Sequence, residues 1–101
     1  MSYHVFADMG FENPEEEQTK SDIISSLRGL IEAKHLSTSQ VAARWNIEPD
    51  AVTELLRGHW GSYSVDHLLR FANALNRNVR IIIDSHDVAP DEEAKTLVLT
   101  A

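Results

Sequence analysis

The chain has no cysteine, which excludes a disulfide framework and a thiolate metal site and suits a reducing cytoplasm. No apolar run approaches the ~18 residues of a membrane span, and no basic-then-apolar leader opens the sequence, so neither a spanning helix nor a secretory signal is expected. Internal repeats and low-complexity segments are absent. His4, His35, His59, His67 and His86 show no two-histidine helical spacing and no adjacent acid to orient them, so no metal site is expected. Ser25-Ser26 and the other hydroxyls lack the glycine-flanked elbow of a nucleophile. Glu15-Glu16-Glu17 point in different directions on a helix, which favours a solvated first turn over paired catalytic carboxylates. No enzymatic activity and no cofactor is expected.

Positive charge is also scarce. The 101 residues carry a formal net charge of −7, unlike the basic docking face usual in a nucleic-acid binder. The deficit is unevenly spread. Residues 1–34 hold seven acids against three bases, and residues 84–101 hold five acids against one base, Lys95. Between them, residues 35–83 hold four acids and five bases, so the middle of the chain is its one non-acidic part. A length of 101 residues predicts a single domain with one core.

That middle carries the most informative pattern, Leu36-Ser37-Thr38-Ser39-Gln40-Val41-Ala42-Ala43-Arg44-Trp45-Asn46-Ile47-Glu48-Pro49-Asp50-Ala51-Val52-Thr53-Glu54-Leu55-Leu56-Arg57-Gly58. It reads as two short helices and a tight turn over 37–58, the layout of a helix-turn-helix whose second helix enters a DNA major groove. Ser37 can cap the first helix, with Gln40 three residues on as a capping box requires. Val41, Ala42 and Trp45 form one inward face. Asn46 tolerates the left-handed turn, and Ile47 plugs the corner. Pro49 opens the second helix, where its missing N–H costs nothing. Val52, Leu55 and Leu56 form its buried stripe, and Gly58 is a left-handed stop.

The flanks are organised around this pair. Residues 1–12 read as an apolar-rich arm, followed by a domain over 13–84 and an acidic tail over 85–101. Asn13-Pro14-Glu15-Glu16-Glu17 is a helix start whose acids complement the helix dipole. That helix is expected to reach about Lys34, with Ile23, Ile24, Leu27, Leu30 and Ile31 on one face. Gly29 costs it ~1 kcal/mol relative to alanine without ending it. Ser64 caps a further helix with Val65, Leu68, Leu69, Phe71, Ala72 and Leu75 as its stripe. Val79-Arg80-Ile81-Ile82-Ile83 is a β-branched run typical of a strand, and Thr96–Thr100 is a candidate last strand.

Three blocks resemble the XRE-type (Cro-repressor-like) helix-turn-helix proteins, and among them the HigA-like antitoxins and related transcription regulators. The first is Val5-Phe6-Ala7-Asp8-Met9-Gly10-Phe11, the second the helix-turn-helix closing on Leu55-Leu56-Arg57-Gly58, and the third Leu68 to Ile83. Together they cover roughly residues 4–84. The resemblance implies a mainly α, lambda-repressor-like domain of about five helices with one or two short terminal strands. It also implies a homodimer on double-stranded operator DNA, and often a small basic RNase toxin as partner. The alternative is a free-standing regulator or interaction module without a toxin.

Site residues follow from position. Thr38 and Ser39 are expected on phosphates through their hydroxyls and the helix N-terminus. Pro49, Asp50, Ala51, Thr53 and Glu54 lie on the exposed side of the recognition helix, facing bases. Arg57, His59 and Arg44 are expected to hold the backbone, while Val79, Ile81 and Ile83 are the candidate dimerisation strand, since an unpaired apolar edge is a liability that pairing with the same strand of a second chain, or with Thr96–Thr100, would remove. Two departures from the family pattern bear on function. Thr38 stands where glutamine is common, and the recognition helix opens on Glu48-Pro49-Asp50-Ala51 where serine, glutamine or lysine is usual. A carboxylate facing phosphates is repelled and releases no counterion, yet an acid can accept from a cytosine amino group. The same acids can instead merely favour the positive end of their own helix. Trp45 is expected in the core. Trp60, in the loop Gly58-His59-Trp60-Gly61-Ser62-Tyr63, suits packing and contact with DNA or a partner equally.

Overall fold

The computed structural model describes residues 14–100, so the arm expected over 1–12 and the cap expected at Asn13 lie outside the described residues. Among the described residues four helices follow one another: α1 (Pro14–Ala33), α2 (Thr38–Trp45), α3 (Pro49–Leu56) and α4 (Val65–Ala74). The long α1 packs against both α3 and α4, and α2 against α3 and α4.

Each helix begins where local chemistry starts it. Ser37 accepts from the Gln40 backbone N–H at 3.1 Å while the Gln40 side chain accepts from the Ser37 N–H at 2.8 Å, a complete capping box. Asn46 ends α2 at φ 57°, ψ 44°, the left-handed geometry that a short polar side chain tolerates. Pro49 occupies the first turn of α3, and Ser64 caps α4 by accepting from the His67 N–H at 3.0 Å. Gly58 follows α3 at φ 109°, a conformation costly to any residue with a Cβ.

One core joins all four helices. Ile23, Ile24 and Leu27 of α1 meet Val41, Ala42 and Trp45 of α2, Val52 and Leu55 of α3, and Leu68, Phe71 and Leu75 at α4. Leu30, Ile31, Leu36, Ile47, Leu56 and Leu69 pack half-buried around them. The Trp45 and Phe71 rings stack with centroids 4.3 Å apart and planes 13° from parallel. The Trp45 indole N–H also donates to the Phe71 carbonyl at 3.0 Å, so the buried indole is satisfied. Among the described residues no helix is long and apolar enough to cross a membrane.

Two expectations need correction. The described residues contain four helices rather than about five, and neither Val79–Ile83 nor Thr96–Thr100 is a strand. A strand exists only in a ladder, and the two segments do not supply each other with one. The tail instead returns to α1, where Val98 packs half-buried against the core and the Thr100 and Ser26 hydroxyls meet at 2.5 Å. The isoleucines are left outside, with Ile81, Ile82 and Ile83 77%, 82% and 91% exposed.

Gly29 and Gly58 give opposite predictions. A Cβ at Gly29 would meet nothing within 4 Å, so Gly29→Ala is expected to stabilise the fold by about 0.5–1 kcal/mol through helix propensity. Gly58→Ala places a Cβ at positive φ and is expected to destabilise by about 1 kcal/mol or more. Urea unfolding midpoints of the two variants, moving in opposite directions, check both.

Candidate nucleic-acid interface

The outer face of the α2–α3 pair is built from what the core leaves over. Val52 and Leu55 turn inward, so helical periodicity puts Pro49, Asp50 and Glu54 on the exposed side, with Ala51 and Thr53 half-buried at its margins. Arg57 is the residue at which α3 stops, and His59 follows Gly58; both are exposed. Thr38 and Ser39 stand exposed at the start of α2, and Arg44 is exposed in its last turn. The expected phosphate-side and base-side residues therefore flank one turn, while Val79, Ile81 and Ile83 lie beyond α4, apart from this set.

The acids at the head of α3 behave in two ways. Glu48 is its N-cap, at φ −72° and ψ 148°, without a side-chain cap hydrogen bond, and Asp50 sits in the first turn. Both carboxylates stand at the positive end of the helix dipole, which favours them by a few tenths of a kcal/mol to about 1 kcal/mol. Neither enters an ion pair among the described residues. Glu54 differs. Its Oε2 meets Nδ1 of His59, and its Oε1 lies 3.9 Å from the Arg57 guanidinium. The carboxylate at the outer end of the helix is thus turned toward two of the three groups expected on the DNA backbone. Thr53 donates to the Pro49 carbonyl at 3.3 Å, a bond within the helix that a base acceptor could replace.

Two contacts that position α3 and the loop after it escaped sequence reasoning. Arg28 of α1 donates to the Leu56 carbonyl, satisfying a carbonyl at the end of α3 and placing a cation at the negative end of its dipole. Trp60 donates from its indole to Glu17 Oε2 at 2.7 Å, which ties the loop after α3 to the first turn of α1. Glu17 also lies 3.8 Å from Lys20, a cation only 3% exposed. Glu17 is therefore not part of a solvated turn: it is half-buried between an indole and an ammonium. The two readings left open for Trp60 are narrowed by this bond, since its polar edge is spent within the chain. The Glu54–Arg57 and Glu17–Lys20 pairs, each three residues apart, have a helical spacing that a sequence can show. Arg28–Leu56 and Trp60–Glu17 join residues 28 and 43 positions apart, for which no local spacing exists.

Comparison with known proteins follows the same lines. Residues 5–84 match a family model described as a helix-turn-helix domain. A solved structure described as a candidate XRE family transcriptional regulator superposes with a TM-score of 0.80 at 30% sequence identity. The match covers 89% of this chain and 100% of that one. Among curated proteins no match is found.

Trp60→Phe removes the only N–H that the indole can give to Glu17 while keeping an aromatic ring. It is expected to cost about 1–3 kcal/mol, as for a partly buried carboxylate that loses a donor. Chemical denaturation of the variant measures it, and an unchanged midpoint would mean that the loop is not held by this bond.

Proposed function

The chain belongs to the helix-turn-helix domain family and is an XRE-type DNA-binding regulator, and from that premise we propose that it is a sequence-specific operator-binding repressor acting as a homodimer. The observation that carries this reading is the exposed side of α3, where Pro49, Asp50 and Glu54 stand clear of a core that holds the helix from behind, with Thr53 half-buried at the margin. In the proposed docking, α3 lies in the major groove with Asp50, Ala51, Thr53 and Glu54 toward base edges. Thr38 and Ser39 reach phosphates from the start of α2, and Arg44, Arg57 and His59 hold the flanking backbone. Asp50 is suited to a cytosine amino group, a contact that selects sequence at some expense in affinity.

Two-fold pairing supports the specificity. One short recognition helix covers too little surface for the affinities usual at operators, and two copies can read half-sites about one helical turn apart. The resemblance to a family that includes antitoxins as well as free-standing regulators, with the acidic composition of the first helical turn and of the tail, supports a second activity: neutralising a small basic RNase while repressing the shared operon. Acidic segments of this kind steer a cationic partner and strengthen encounter at low salt.

Anisotropy titrations on operator and random duplexes, repeated over a salt series, test the docking. Arg57→Ala is expected to weaken binding to both duplexes by about tenfold and to reduce the salt slope by about 1, whereas Asp50→Asn or Thr53→Ala is expected to change the preference between duplexes. Unaltered affinity of Arg57→Ala for both would overturn this placement of α3. Co-expression with an adjacent small basic reading frame tests the antitoxin role. A stable complex that relieves growth inhibition supports it, and the lack of any toxic neighbour leaves a free-standing regulator.

A further inference from the structure

The segment that follows α4 reads Arg77-Asn78-Val79-Arg80-Ile81-Ile82-Ile83-Asp84-Ser85-His86-Asp87, and its charges form a palindrome of opposite sign about Ile82. Arg80 lies two residues before Ile82 and Asp84 two after it. Arg77 lies five before and Asp87 five after. An antiparallel pair of identical strands related by a two-fold axis at Ile82 would set Arg80 opposite Asp84 of the second copy, and the reverse pair would follow by symmetry. Ile81 would face Ile83, Ile82 would face itself, and Arg77 would face Asp87 at the rim. We propose that this segment is the dimerisation strand and that it pairs with a second copy of the chain in this one register. The inference rests on the homodimer reading and specifies the surface and alignment it uses.

Several observations meet in it. The three isoleucines are almost wholly exposed, and no helix or strand of the described chain covers them. Arg77, Arg80, Asp84 and Asp87 take part in no ion pair among the described residues. Arg77 is anchored at the end of α4, its N–H donating to the Ala72 carbonyl and its carbonyl accepting from the Asn73 side chain, so the extended segment starts at a fixed point. The sequence is β-branched where pairing is needed. An isologous contact requires a self-complementary surface, and opposite charges directly across an antiparallel pair stabilise it while like charges oppose it.

The register also sorts the faces. Residues directly opposite share a face, so Ile81 and Ile83 of both copies form one patch of four isoleucines. The other face carries the two Ile82 side chains bracketed by Arg80–Asp84 pairs, a composition suited to water at its edges. A slip by one residue would break every charge pair and mix the two faces, so the pattern selects against it. The chain bends at Ser85 and His86, which places the firm part of the ladder at residues 80–84.

The test uses the full-length chain and its sedimentation behaviour. Wild type is expected to be a dimer at micromolar concentration. R80D alone and D84R alone each put like charges across both ends of the ladder and are expected to raise the dimer dissociation constant by about tenfold or more. Mixing the two variants restores opposite charges at every position, so a one-to-one heterodimer of wild-type affinity is expected. The chain has no cysteine, which allows a second readout: I82C is expected to cross-link to itself on mild oxidation, since opposed strand residues approach within disulfide reach. I81C alone is expected to cross-link far less than an I81C and I83C mixture. A wild-type monomer overturns the homodimer reading and this one with it. A wild-type dimer whose charge variants dimerise normally, or whose mixture gains nothing, overturns the register alone.

Discussion

Trp45 is the contact on which the arrangement of the helices turns. Its ring stacks on Phe71 and its indole N–H donates to the carbonyl of that same residue, so α2 is fixed to α4 by a face and an edge at once. A stacked pair alone leaves rotation about the ring normal, and a lone hydrogen bond leaves tilt; together they remove both. From α2 the constraint passes to α3 through a turn of few residues. Asn46 in the left-handed region and Ile47 against the core set the angle between the helices, while Arg28 of α1 holds the far end of α3 at the Leu56 carbonyl. The recognition helix is thus placed by elements on its buried side, and its outward residues are free to vary without cost to the fold.

That freedom explains how an acidic chain can keep a DNA-reading geometry. The fold requires only Val52 and Leu55 from α3 as fully buried side chains, so Glu48, Asp50 and Glu54 cost little stability where they stand. Their effect falls on association instead. Phosphate contacts supply most of the sequence-independent affinity through counterion release, and each outward carboxylate subtracts from it. Glu54 is partly offset by Arg57 and His59, although exposed pairs of this kind are worth little in themselves. In the proposed docking, such a surface would give up non-specific affinity and leave discrimination to the few bonds at base edges. Long dwelling on random DNA is correspondingly disfavoured.

What could be read from the sequence was local. The capping box of Ser37 and Gln40, the left-handed Asn46, Pro49 in the first turn of α3, the positive φ of Gly58 and the Ser64 cap all depend on residues within a few positions of one another. Side chains and backbone at that range settle a turn before any tertiary contact forms. The core was legible for a related reason, because periodic apolar positions can be buried only one way. Sequence reasoning stopped where a contact spans the chain. Glu17 looked like one of three solvated acids until Trp60 was found against it, and nothing near Arg28 marks it for the end of α3. The strand expected at Val79–Ile83 stopped at a different limit, since propensity describes what a segment suits and not whether a ladder partner is present in the same molecule.

The tail shows how that limit arises. Alternation along Leu97-Val98-Leu99 sends Val98 to the core and leaves its neighbours 68% and 87% exposed, while the Thr100 hydroxyl is spent on Ser26. The tail therefore seals one side of α1 and is not available to Ile81–Ile83 as a neighbour. Among the described residues the four helices enclose one core, and of the two segments only the tail reaches it. Among the described residues nothing covers the isoleucines, and a partner that binds them in the folded form would add its binding free energy to the stability of that form by mass action. In a repressor that reads two half-sites, the same association governs operator occupancy. Burial of a few isoleucines and reading of the operator then become linked equilibria, both set by how much of the protein is present.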